Sequence, residues 1–203
     1  MKNARTAVEH CGRGYVALDL GPTGRLLKPM GDLDFEEAVS IYTEVVKSGV
    51  RGGADLILIE TMSDTYELKA AVLAAKENSD KPVICTMTFE PNLRTFTGCT
   101  VASAAMTLEG LGADAVGVNC SVGPDQLVSV IRNIKENVSI PVIAKPNAGM
   151  PFIDDNGNAV YSMKAPDFAR HVKALIDAGA GIVGGCCGTT PEYIREVAKM
   201  IGR

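Results

Sequence analysis

Apolar residues along this chain fall into two alternating patterns. Short runs, nearly continuous in Val, Ile, Leu and Ala, occur at Tyr15–Leu20, Asp55–Glu60, Pro82–Thr88, Ala113–Asn119, Pro141–Pro146 and Gly181–Gly184. Such runs suit parallel strands covered on both faces, where neither face presents a polar residue to water. Between them, Phe35–Val50, Thr65–Asn78, Thr100–Leu111, Asp125–Asn137 and Pro166–Ala178 show the amphipathic spacing of half-buried helices. The boundary residues agree. Asp34 and Asp64 stand where N-caps belong, and Gly49, Gly112 and Gly179 close three of the helices. Pro191–Ile201 reads as a last helix with proline in its first turn, and Met1–Cys11 as the end of a helix before the first strand.

Strands alternating with helices build a parallel α/β sheet with right-handed crossovers. An open doubly wound sheet and a (β/α)8 barrel both satisfy this. No G-x-G-x-x-G follows an early strand, which weakens the dinucleotide-binding form of the first. The six strand–helix units visible here are fewer than the eight that close a barrel. Glycine and proline are spread evenly with no linker-like stretch, so one domain is expected over residues 1–203.

Composition narrows the function classes. The chain has 203 residues, 46% of them hydrophobic, with 20 Lys plus Arg against 24 Asp plus Glu. A formal charge of −4 without a basic block removes the electrostatic case for nucleic acid or an anionic membrane as partner. No apolar run approaches the roughly 20 residues of a bilayer span. Met1–Gly14 is polar and lacks the apolar core of a signal peptide, so a cytoplasmic location is expected.

Six cysteines stand out in such a chain. Cys11, Cys85 and Cys99 sit in ordinary places and read as small buried hydrophobes. Cys120, Cys186 and Cys187 instead fall at the C-terminal ends of predicted strands, where parallel α/β folds gather their chemistry. Three thiolates with a fourth position open describe a catalytic zinc site. Neighbouring residues on a regular strand point to opposite faces, so Cys186 and Cys187 reach one ion only if the strand breaks there. Gly184, Gly185 and Gly188 supply that freedom. Two other readings stay open. One is a buried or redox-active vicinal thiol pair with Cys120 unrelated. The other is a phosphate cradle, since Gly184-Gly-Cys-Cys-Gly-Thr-Thr-Pro precedes a helix; that reading leaves all three cysteines without a role.

Gly117-Val-Asn-Cys-Ser, Pro146-Asn-Ala-Gly-Met-Pro and Gly184-Gly-Cys-Cys-Gly-Thr-Thr-Pro together resemble the homocysteine S-methyltransferase family. Tyr15–Pro22 with Gly-Pro-Thr-Gly, and Leu58-Ile-Glu-Thr-Met, match two further segments, so the likeness covers essentially the whole chain. Within the family it is nearest the homocysteine-binding domain of the cobalamin-dependent methionine synthases rather than the betaine-using branch. The resemblance implies a zinc-containing (β/α)8 barrel that methylates homocysteine to methionine. It implies Cys120, Cys186 and Cys187 as zinc ligands, Asn147 as a fourth ligand when substrate is absent, and Glu60 as the holder of the substrate's amino group. Methylcobalamin is the implied donor, presented by a corrinoid-carrying domain or protein; betaine and S-methylmethionine are the alternatives. From the residues alone, Asn147 reads as a turn former and Glu60 as an exposed strand-end carboxylate.

The chemistry is consistent with that implication. A thiol with pKa near 8.5 is mostly protonated at neutral pH, and the thiolate is the nucleophile. A metal that takes the sulfur releases its proton, and three protein thiolates leave that sulfur electron-rich.

The family carries an acidic, glycine-rich Asp-Gly-Ala-Met-Gly-type motif on its first strand, and nothing like it precedes Tyr15. The expectation is therefore a homocysteine-binding domain lacking its first two strands, an incomplete barrel whose exposed sheet edges promote self-association. A non-catalytic zinc-binding barrel fragment, dependent on another chain or segment for activity, is the alternative. Asp19, ending the first visible strand, faces the expected site rim as a second substrate contact, or else caps the Gly21–Gly24 turn. His10 and His171 read as exposed helix residues. Pro151–Tyr161 reads as a flexible loop over the site, and lacks the downstream Glu of a calcium loop.

Overall fold

The structure is a computed structural model and describes residues 1–202. Six parallel strands form one sheet in strictly sequential order: β1 (Ala17–Leu20), β2 (Leu56–Met62), β3 (Val83–Met87), β4 (Ala115–Asn119), β5 (Val142–Lys145) and β8 (Ala180–Val183). The helices are α1 (Lys2–Cys11), α2 (Phe35–Arg51), α3 (Thr65–Asn78), α4 (Val101–Gly110), α5 (Val128–Asn137), α6 (Ala165–Asp177) and α7 (Pro191–Met200). A doubly wound sheet reverses its direction of growth once; this one never does. With right-handed crossovers, sequential growth puts every crossover helix on one face, which is the barrel arrangement. The fold is of the (β/α)8 barrel type with six strands, and β1 and β8 each pair on one side only among the described residues.

Burial follows the pleat. Leu18, Leu20, Ile57, Ile59, Val83, Cys85, Met87, Val116, Val118, Val142 and Ala144 pack into the core beneath the helices. The opposite parity varies across the sheet: Ala17 and Asp19 are exposed, Leu56, Leu58, Glu60 and Ile84 are half-buried, and Thr86, Ala115, Gly117, Asn119 and Ile143 are buried. That second face is open on the side of β1 and β2. A smaller cluster of Phe168, Ala169, Val172 and Val197 seats α7 on α6.

Several boundaries differ from the expectation. Gly49 does not end α2, which runs on to Arg51. Gly49 is glycine because Leu18 of β1 packs against it; a Cβ there would lie 2.5 Å from Leu18 Cδ1. Gly112 and Gly179 do close their helices in left-handed conformations. Asp64 caps α3 through the Tyr66 N–H, whereas the Asp34 carboxylate makes no cap and pairs with Lys28. The expected single helix from Asp125 is a 3-10 turn, Pro124–Gln126, followed by α5. The expected loop Pro151–Tyr161 is a β-hairpin of β6 (Pro151–Ile153) and β7 (Ala159–Tyr161). Its turn is tied by Asp154 Oδ1, which accepts from the Asn156 and Asn158 N–H groups. Cys11, expected to be buried, is exposed, because α1 buries none of its residues. No helix among the described residues is long and apolar enough to cross a membrane.

Candidate metal centre

Three loops following β4, β5 and β8 are stitched together by backbone hydrogen bonds. The Cys120 N–H donates to Lys145 O (3.3 Å) and Asn147 N–H to Val122 O (3.1 Å), which fixes the β4 loop to the β5 loop. The Cys186 N–H donates to Pro146 O (2.8 Å) and Ala148 N–H to Cys187 O (2.9 Å), which fixes the β8 loop to the other side. Pro146–Ala148 is thus the bridge that brings two distant stretches of chain to one place. The strand β8 ends at Val183, so Cys186 and Cys187 lie beyond the alternation that would have separated them. Gly185 packs under Thr189, where a Cβ would lie 2.5 Å from Thr189 Oγ1. Gly188, at φ +78°, lies under the Tyr161 ring of the hairpin, 2.5 Å from Cδ2 for a Cβ built there.

The result is a sulfur cluster. The Sγ atoms of Cys120, Cys186 and Cys187 all lie within 4.8 Å of one another, and those of Cys120 and Cys187 are 3.2 Å apart. That separation is well beyond a disulfide bond, and all six cysteines are free. The cluster is compatible with zinc: sulfurs about 2.3 Å from a tetrahedral ion sit roughly 3.8 Å from one another. Cys186 is half-buried and Cys187 exposed, so one side of the cluster faces outward. Burial, followed by hydrogen bonds from Cys187 and Cys186, pushes the Cys120 thiol up to about 12.

Two residues near the cluster hold left-handed backbone without being glycine, Cys120 at φ 51° and Thr61 at φ 63°. A β-branched residue there is held only by strong surroundings. Asn119 provides them. Fully buried, it accepts from Thr61 N–H (2.9 Å) and Thr86 Oγ1 (2.8 Å) through Oδ1. Through Nδ2 it donates to Thr61 Oγ1 (2.7 Å) and Cys186 Sγ (3.7 Å). The register between β2 and β3 shifts at this point, between Ile59 and Met62. Glu60 and Thr61, consecutive in sequence, therefore both meet residues of the open side, as bulges at functional sites allow.

Glu60 lies on that open side, ion-paired through Oε2 to Lys145 Nζ, with side chains 20% and 19% exposed. Asp19 is exposed on the neighbouring strand; burial of its carboxyl and the Glu60 charge push it up, while Lys145 pulls it down. Asp19 does not hold the Gly21–Gly24 turn. Glu67 does, its Oε1 accepting from Thr23 N–H and Oγ1 (both 2.7 Å) and from the Tyr42 hydroxyl (2.9 Å). Asn147 is buried, and its Oδ1 accepts from the Cys187 N–H at 3.2 Å. In this structure it shapes the Cys187 turn from beside the sulfurs. His10 is exposed on α1 and His171 half-buried on α6, and neither belongs to the metal-competent group.

Of the residues expected from the sequence, Cys120, Cys186 and Cys187 come together, Asn147 lies beside them, and Glu60 and Asp19 lie on neighbouring strands; Asn119, Thr61, Thr86 and Lys145 were not among the candidates. A usable signal was present. Thr86 and Asn119 are polar residues inside nearly continuous apolar runs of adjacent strands, and buried polar groups need partners.

A family model for homocysteine S-methyltransferase matches residues 1–201. The chain is 35% identical over 195 residues to methionine synthase of Mycobacterium leprae, covering 93% of this chain and 16% of that protein. It is 36% identical over 193 residues to methionine synthase of Mycobacterium tuberculosis, covering 92% of this chain and again 16% of that protein. Among solved structures, the apo form of the homocysteine methyltransferase MmuM from Escherichia coli superposes with TM-score 0.76 at 20% identity, over 98% of this chain and 68% of that one. The metallated form of that protein superposes with TM-score 0.76 as well. At that identity the structural likeness speaks for the fold.

Proposed function

This chain belongs to the homocysteine S-methyltransferase family, and on that premise we propose that it transfers a methyl group to the thiol of homocysteine, giving methionine. The observation that carries the proposal is the convergence of Cys120, Cys186 and Cys187 beyond the ends of β4 and β8, with Asn147 held to the Cys187 N–H on one side and Asn119 linking Cys186 to Thr61, the neighbour of Glu60, on the other. Cys120, Cys186 and Cys187 would hold zinc. When bound, zinc would supply a Lewis acid that favours the nucleophilic thiolate form of a substrate thiol.

The protein's own residues then align the substrate. Glu60 holds the ammonium group, and Asp19 on the next strand adds a second negative charge to that subsite. Asn119 orients Cys186 through Nδ2 and keeps Thr61, next to Glu60, in the conformation that turns both toward the site. Asn147 keeps the Cys187 turn in place. Fixed sulfur and head-group positions lower the barrier by presenting the nucleophile in one geometry.

Methylcobalamin carried by another domain or protein is the proposed donor. The likeness to mycobacterial methionine synthases supports it; the chain spans 16% of their length. A second reading, a zinc-binding fragment that needs another chain or segment, is favoured by the unpaired outer edges of β1 and β8 among the described residues. Incubating the zinc-reconstituted, reduced protein with homocysteine and, separately, methylcobalamin, S-methylmethionine or betaine tests the proposal. Methionine formation detected by mass in any arm supports methyl transfer and identifies the donor. No methionine in any arm, with zinc and homocysteine both bound, supports the fragment reading instead.

A further inference from the structure

We propose that Lys145 recognises the carboxylate of the substrate, so that the Lys145–Glu60 ion pair is a resting mould of the zwitterionic head of an α-amino acid. The inference rests on the reading that a homocysteine-type thiol occupies this site, and adds the residue that selects for its acid group.

The placement is specific. Lys145 ends β5, and its backbone oxygen accepts from the N–H of Cys120. The same residue thus touches the sulfur cluster with its main chain and Glu60 with its side chain. Its stem runs beside Gly184, where a Cβ would lie 3.3 Å from Lys145 Cγ, so glycine keeps that channel clear. Around Nζ the open face carries Glu60 and Asp19, two carboxylates against one ammonium.

Stability does not account for this arrangement. Desolvating an ion pair costs about as much as its attraction returns, so apolar side chains would serve a structural floor as well. An α-amino acid offers what the pair already tests for, one positive and one negative group on a single carbon. Its ammonium takes the place of Nζ against Glu60, and its carboxylate takes the freed Nζ. No charge is left unpaired in the exchange. A thiol amine without a carboxylate takes Glu60 from Lys145 and offers nothing in return, which leaves the half-buried ammonium with Asp19 alone and loses a charge-paired hydrogen bond. Selectivity for the acid group follows from that asymmetry.

The test is a binding matrix by titration calorimetry on the zinc-reconstituted protein. The ligands are L-homocysteine, 3-amino-1-propanethiol (no carboxylate) and 4-mercaptobutanoate (no ammonium). Lys145→Met should weaken L-homocysteine at least tenfold, while 3-amino-1-propanethiol binds as tightly as to wild type or more so, because Glu60 is now free. Lys145→Arg should restore most of the homocysteine affinity. Glu60→Gln should weaken both amines and spare 4-mercaptobutanoate. The paired variant Glu60→Gln/Lys145→Met removes both charges together, and should discriminate among the three thiols far less than wild type, with Asp19 alone still favouring the amines. Equal weakening of all three thiols by Lys145→Met, or no change for homocysteine in either variant that removes Lys145, overturns the proposal and leaves the methyl-transfer reading standing. Wild-type protein that binds none of the thiols overturns both.

Discussion

The carboxamide of Asn119 reaches Cys186 Sγ at 3.7 Å while its oxygen holds the N–H of Thr61 at 2.9 Å. One buried side chain therefore supports a sulfur donor and the strand end that carries Glu60. Asn119→Ala leaves the Thr61 N–H and the Thr86 hydroxyl without their acceptor. A loss of roughly 3 kcal/mol is expected, since each buried unsatisfied group costs about 1–3 kcal/mol. Removing a partner of a ligand also weakens metal binding about tenfold to a hundredfold. Urea unfolding and competitive zinc titration measure the two effects. A change in the sulfur-to-cobalt absorption of the cobalt-substituted protein separates support of Cys186 from a general loss of fold.

Gly49→Ala reverses the usual sign of a helix substitution. Alanine in a helix interior ordinarily gains about 1 kcal/mol over glycine. Here the added methyl meets the buried Leu18 side chain, with Cδ1 at 2.5 Å. A net destabilisation of about 1–3 kcal/mol is expected from overpacking. Leu18→Ala combined with Gly49→Ala should cost less than the sum of the two single changes, as read from urea midpoints.

Acid should loosen the N-terminal side of the sheet. The Val16 N–H and then Arg5 hold the Asp55 carboxyl below its ordinary value. A depressed carboxylate adds stability above its unfolded pKa, near 3.9, and loses it as pH falls through the lower folded value. Wild-type protein should therefore lose more stability than Asp55→Asn between pH 5 and pH 3, measured by urea midpoints across that range.

Exposed edges should bring copies together. The strands β1 and β8 each have one unpaired side among the described residues, and Tyr15, just before β1, and Ile182, on β8, are exposed. Light scattering after size exclusion should show mass rising above that of one chain as concentration increases. A constant single-chain mass at high concentration contradicts this.

The rhythm of the fold was legible because parallel strands buried on both sides leave long apolar runs that helices do not. The cysteines were legible because three thiols at strand ends have little structural use. Less visible were features that depend on neighbours far away in sequence. Gly49 looks like a helix terminator until Leu18 is known to press on it. Lys145 looks like a surface residue at a strand end until β2 places Glu60 opposite. Asn119 looks like a turn former before Cys120, since its partners Thr61 and Thr86 come from two other strands. The hairpin of residues 151–161 was hidden because strands of three residues carry no period to read, and Asp154–Asn158 has the composition of a loop.

Metal content of the purified, reduced chain bears most directly on the three-sulfur site. Elemental analysis should find one zinc per chain in the wild type, and its loss on changing either Cys120 or Cys186 to Ser while circular dichroism stays unchanged. A reduced, folded protein that takes up no zinc, or a Cys120→Ser protein that keeps a full equivalent, contradicts a centre built from both stretches of chain.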